Sequence, residues 1–160
     1  MCLLRTTTVS IERQPAFKIF SIHNDKLRSA FLSSLACRGL DLNYGEGRIQ
    51  VSPPDQTFFA FKSFNSALGV CRGGRRVWNF SSENLVVLPV TLYDVVQEGY
   101  LHEESDDPQC LDSWHEAYES KEIEVHDSEE NRMAFYKAVL ECARLNSLEK
   151  IALQHILKGF

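Results

Sequence analysis

Asn84 to Val96, NLVVLPVTLYDVV, is the longest β-branched apolar run in the chain, and its reading decides the fold. Val, Leu and Thr crowd a pleated surface well, and an apolar run with little alternation belongs to a strand covered on both faces. Pro89 lies inside the run. Because proline donates no N–H, the expectation is an edge position, a bulge, or two shorter strands.

Upstream, elements that pair with this strand or cover it are expected. Residues 1–14 read as a loose arm or an edge strand. Ala16 to His23, AFKIFSIH, alternates as a strand, and Asn24 or Asp25 then caps a helix running to about Cys37. LDLNYGEGRIQV, residues 40–51, reads as a hairpin turning at Gly45 and Gly47, and Pro53 and Pro54 break the chain after it. Thr57 to Phe61, TFFAF, is a short aromatic strand, Ser63 opens a short helix, and Cys71 to Arg76, CRGGRR, is a basic loop. A further strand is expected at Val77–Phe80.

Downstream, HEESDDP reads as an acidic loop from His102, with one or two helical turns over Leu111–Tyr118 and an edge strand at Lys121–His126. Asp127 then caps a helix from Ser128 to about Leu145 with Met133, Tyr136, Val139, Leu140 and Ala143 inward. Ser147 caps a last helix with Leu148, Ile151, Ala152 and Ile156 inward. Strands with inserted helices, followed by two C-terminal helices, predict an α+β fold. The expected core is a twisted, mainly antiparallel sheet with helices packed on it. At 160 residues and 18.3 kDa the chain fits one domain.

Composition excludes several classes. No apolar run approaches the ~18–20 residues of a membrane span, and the N-terminal MCLL is too short for a secretory core. Five widely spread cysteines, none at CxxC spacing, argue against a zinc clamp or a disulfide framework. A cytoplasmic protein is expected. The net charge of −5 hides an asymmetry: residues 1–80 sum to +6 and residues 81–160 to −11. Residues 102–130 hold 12 Asp or Glu against Lys121 alone.

Catalytic and cofactor motifs fail on inspection. His115–Glu116 suggests a zinc protease, but the second histidine position holds Glu119. That pair is therefore read as a solvated helical turn. His102, Glu103, Glu104, Asp106 and Asp107 lack the alternating ligands and glycine of a calcium loop. Neither a GxSxG elbow, a P-loop nor GxGxxG is present, so no cofactor and no resident metal are expected.

Arg72, Arg75 and Arg76 with Gly73, Gly74 and Trp78 could hold a phosphate and stack on a base. The order of strand with His23, aromatic strand TFFAF, short helix with Ser66 and Ala67, then LVVLPVTL, is similar to ADP-ribosyltransferase folds over residues 16–93. The resemblance implies a small NAD- or nucleotide-using transferase whose pocket lies between the His23 and TFFAF strands. His23, Arg72, Arg75, Arg76 and Trp78 would be its nucleotide contacts. Asn24 stands where that family usually has glycine, and no catalytic Glu is assigned.

The acidic tract is the larger departure from an average domain. Exposed, it would repel nucleic acid and attract basic protein surfaces, imitating a phosphate backbone. The leading expectation is a non-enzymatic binding or inhibitory module acting on a protein partner with a basic surface. Glu103, Glu104, Asp106, Asp107, Asp112, Glu116 and Glu119 would be its contacts. Nucleic acid is not expected as a direct partner for a chain this acidic.

Overall fold

The computed structural model describes residues 3–29, 44, 47–73, 84–102, 114–142 and 145–160. These form β1 (Leu4–His23), β2 (Lys26–Ser29), β3 (Ile49–Val51), β4 (Phe58–Phe61), α1 (Phe64–Gly73), β5 (Asn84–His102), β6 (Trp114–Val125), α2 (Glu129–Leu140) and α3 (Ser147–Lys158). The fold is α+β, with a six-stranded antiparallel sheet and two C-terminal helices. No helix among the described residues is long and apolar enough to cross a membrane.

The run at Asn84–Val96 is the first part of a single 19-residue strand at the centre of the sheet. β5 pairs along most of its length with β1 on one side and β6 on the other. Val86, Val87, Leu88, Val90, Leu92 and Val95 are all buried, as a strand covered on both faces requires.

Pro89 is therefore neither at an edge nor a break. In an antiparallel strand a residue's N–H and C=O point to the same neighbour. The Pro89 carbonyl accepts from the His126 N–H at 3.0 Å, just past the end of β6. The missing donor thus faces away from β1, where Pro89 stands opposite Phe17. Pro15, two residues before Phe17, likewise turns away from β5, its carbonyl accepting from the Gln14 side chain. Both prolines fall at positions where the β1–β5 ladder needs no donor.

The sheet also closes on itself. β6 pairs with β4 and β3 along its second edge, and β4 returns to β1 through the single register pair Phe17↔Phe61. Strands β1, β5, β6 and β4 thereby form a hydrogen-bonded circuit, which removes free edges from its members over the paired segments. Helix α1 packs against this circuit, α2 packs on β5, and α3 packs on α2.

Several local expectations are corrected. Of the two readings of residues 1–14, loose arm or edge strand, the strand holds from Leu4 onward: the segment is the first half of β1, paired there with β5. Asn24 and Asp25 have φ of 50° and 62°, so they turn a two-residue hairpin into β2 instead of capping a helix. Residues 30–37 of that expected helix lie outside the described residues, as do 40–42 and the strand at 77–80. β3 follows Gly47 (φ 72°) and pairs with β6. Ser63 does cap α1, its hydroxyl accepting from the Ser66 N–H at 3.1 Å. The helix continues through Cys71 to Gly73, into the expected basic loop.

The helical turns expected over Leu111–Tyr118 and the edge strand at 121–126 are replaced, from Trp114, by one 12-residue strand, β6, inside the sheet. In α2 the cap is Ser128, which accepts from the Asn131 N–H. Asp127 instead makes a two-pronged pair with Arg132 at 2.7 and 2.8 Å. Asn146, in a capping box with Glu149, starts α3. That helix buries Leu153 and packs Ile156 against the core, as expected for Ile156, but leaves Leu148 77% and Ile151 49% exposed, so the inward stripe is rotated from the expected one.

Candidate functional site

Bulges in the long strands re-aim side chains that a regular pleat would alternate. Between Thr8 and Ile11 the β1 register against β5 shifts, and between Val95 and Gln97 the β5 register against β6 shifts. Beside these irregularities Asp94 adopts φ 54°, a left-handed conformation that Asp and Asn tolerate better than most residues. Here an open cleft of about 580 Å³ is lined by Ser10, Ile11, Glu12, Tyr93, Asp94 and Glu122. Three of those six residues are carboxylates and none is Lys or Arg. Tyr93 is the register partner of both Arg13 on β1 and Glu122 on β6, so three strands position the cleft.

No group of three or more His, Cys, Asp or Glu that could hold a metal ion occurs among the described residues. The cleft can attract a cation or a basic side chain by field and hydrogen bonding.

The other end of β6 carries a second concentration of charge, mixed with aromatic rings. Lys62 lies 3.1 Å from Glu98 and 3.9 Å from Glu116, and its ammonium sits 5.0 Å from the Tyr118 ring centre. Desolvation alone would lower the Lys62 pKa, but the hydrogen bond with Glu98 and the charges of Tyr118, Glu116 and Glu98 hold it above its ordinary value. The Tyr100 hydroxyl donates to Glu116 at 3.4 Å. Arg5 lies over the Trp114 ring at 4.6 Å from its centre.

Of the acidic residues expected to bind a partner, Glu116 and Glu119 are described. Glu116, with its side chain 52% exposed, belongs to the Lys62 cluster. Glu119 is half-buried opposite Phe59 and Gln97, and burial pushes its carboxyl above the usual range. Glu103, Glu104, Asp106, Asp107 and Asp112 lie outside the described residues, as do Arg75, Arg76 and Trp78. The backbones of His23 and Arg72 end β1 and fall in the last turn of α1.

His115 corrects the solvated-turn reading. It is a strand residue, 2% exposed, with its ring edge-on to Phe61.

The pocket expected between the His23 and TFFAF strands coincides with the β1–β4 seam. There Phe17 and Phe61 are register partners, and the Lys18 ammonium donates to the Phe59 carbonyl at 2.6 Å. Lys18 is only 3% exposed, and desolvation lowers its pKa from 10.5 to about 7. Sequence reading missed Lys18, and it missed Glu12, Asp94 and Glu122 as a set. The one available signal was Asp94, a lone acid within an otherwise β-forming run. Compared with protein-family models, curated proteins and solved structures, the chain gives no match.

Proposed function

We propose that the chain is a small non-enzymatic binding or inhibitory module that engages a protein partner with a basic surface, its carboxylates imitating the phosphates of nucleic acid. The observation that carries this reading is the open cleft lined by Glu12, Asp94 and Glu122, with no Lys or Arg among the described lining residues. A concave site of one charge sign focuses the field and steers an oppositely charged partner. Glu122 belongs to the 102–130 tract and shares β6 with Glu116, Glu119 and Glu124. The setting proposed is the cytoplasm, where the free thiols of Cys71 and Cys142 would stay reduced.

The test is isothermal titration of an eight-lysine peptide at low salt against the unmodified chain and against Glu12→Gln/Asp94→Asn/Glu122→Gln. Asn is chosen at position 94 because it tolerates the left-handed backbone there. Binding that is steeply weakened by salt and lost in the triple variant supports the reading. Binding that survives the triple change moves the site off the cleft. Absence of binding by the unmodified chain removes the acidic-surface reading.

A further inference from the structure

We infer that Trp114, Tyr100 and Glu116 form a guanidinium-binding clamp for an arginine of the basic partner, and that Arg5 of this chain occupies it in the free state. The inference rests on the acidic-module reading, and it adds the side-chain chemistry recognised and a competing internal ligand.

Three observations bear on this clamp, the last two describing one bulge. The first is that a guanidinium is already seated, with Arg5 stacked on Trp114. Tyr100 meets Trp114 edge-on at 6.1 Å and donates to Glu116, which places a carboxylate beside the aromatic pair. A flat, weakly hydrated cation suits such a site better than a compact ammonium.

The second is backbone strain. Arg5 has φ 50° at the register shift between Leu4 and Thr7. A non-glycine residue in that region is strained and persists where its surroundings enforce it. Here the bulge directs Arg5 toward the ring.

The third is Gly99. A Cβ there would lie 2.8 Å from the Leu4 carbonyl and 3.1 Å from Leu3 Cβ, so glycine is what lets the bulged segment approach β5 so closely. Trp114 nonetheless remains 37% exposed, leaving it open to a competing guanidinium. Opposite ends of β6 would thus do different work: the cleft supplies field, and the clamp selects arginine over lysine.

The experiment compares an eight-arginine with an eight-lysine peptide by isothermal titration at low salt, using the unmodified chain, Arg5→Ala and Trp114→Leu. Removing the competing guanidinium with Arg5→Ala should tighten the arginine peptide by about two- to five-fold, the worth of one exposed cation–π contact. Trp114→Leu should erase the preference for arginine. Circular dichroism checks that each variant is folded, and Arg5→Gln replaces Arg5→Ala if truncation loosens β1. Equal affinity for the two peptides, or no tightening on removal of Arg5, overturns the clamp while leaving the acidic module standing. Failure of both peptides to bind overturns the clamp and the module together.

Discussion

Replacing Lys18 with methionine removes a cation buried at the β1–β4 seam while keeping most of its aliphatic volume. In the native chain burial brings the Lys18 pKa from 10.5 to about 7. A native pKa below the unfolded one means that the unfolded chain binds more protons between those values, so stability rises with pH across about 7 to 10.5. Below pH 7 the native ammonium stays charged in an apolar site, and the whole penalty of roughly 5 kcal/mol is present. Between pH 7 and 9 about 2 kcal/mol of it is relieved.

Methionine carries no such penalty but leaves the Phe59 carbonyl without the Lys18 donor, a loss of about 1 kcal/mol that does not depend on pH. Urea unfolding of both proteins at pH 7, 8 and 9 therefore gives a converging pair of curves. Lys18→Met is the more stable at pH 7, and its advantage shrinks by roughly 2 kcal/mol by pH 9. A difference constant to within about 0.5 kcal/mol over that range would refute the reasoning, because Lys18 would then titrate alike in both states.

Gly99→Ala should destabilise by about 1–3 kcal/mol in the same urea assay, since its Cβ meets the Leu4 backbone at 2.8 Å. Ser128→Ala removes the acceptor for the Asn131 N–H and should cost about 0.5–2 kcal/mol, read as a lowered thermal midpoint. Glu119→Gln should raise the midpoint at pH 7, because burial already disfavours the charged carboxyl. A raised native pKa contributes stability at low pH that is lost as pH rises through it, so the gain should vanish near pH 4, where both states bind the proton.

The parts of the fold legible in the sequence were those fixed by local pattern. The β-branched run at Asn84–Val96, the TFFAF strand, the Ser63 cap and the existence of two C-terminal helices follow from composition and spacing over a few residues. What failed was decided by tertiary context. Asn24–Asp25 carries both a helix-capping and a hairpin-turning signal, and pairing of Lys26–Ser29 with β1 selects the turn. Glu-rich Trp114–Val125 looked helical or marginal as a strand, yet β5 on one side and β4 and β3 on the other hold it extended. In α3 the inward face is set by where α2 lies, which no periodicity within Ser147–Lys158 encodes.

The site was less legible for the same reason. Glu12, Asp94 and Glu122 are far apart in sequence and meet only because three strands are in register. Nothing in the alternation of AFKIFSIH marks Lys18 as buried, and it is β4 that supplies its partner, the Phe59 carbonyl. Arg5 and Trp114 are brought together by a bulge and by a glycine 94 residues further along the chain.

The most direct measurement is the thermal midpoint of the unmodified chain with an eight-lysine peptide, with NAD and with ADP-ribose, each at low and at high salt. A ligand at about 100 times its dissociation constant adds ~2.7 kcal/mol of apparent stability, which is readily seen. The acidic-module account predicts a raised midpoint with the peptide alone, fading as salt is added. A rise with NAD or ADP-ribose and none with the peptide would contradict it and favour the nucleotide-using transferase.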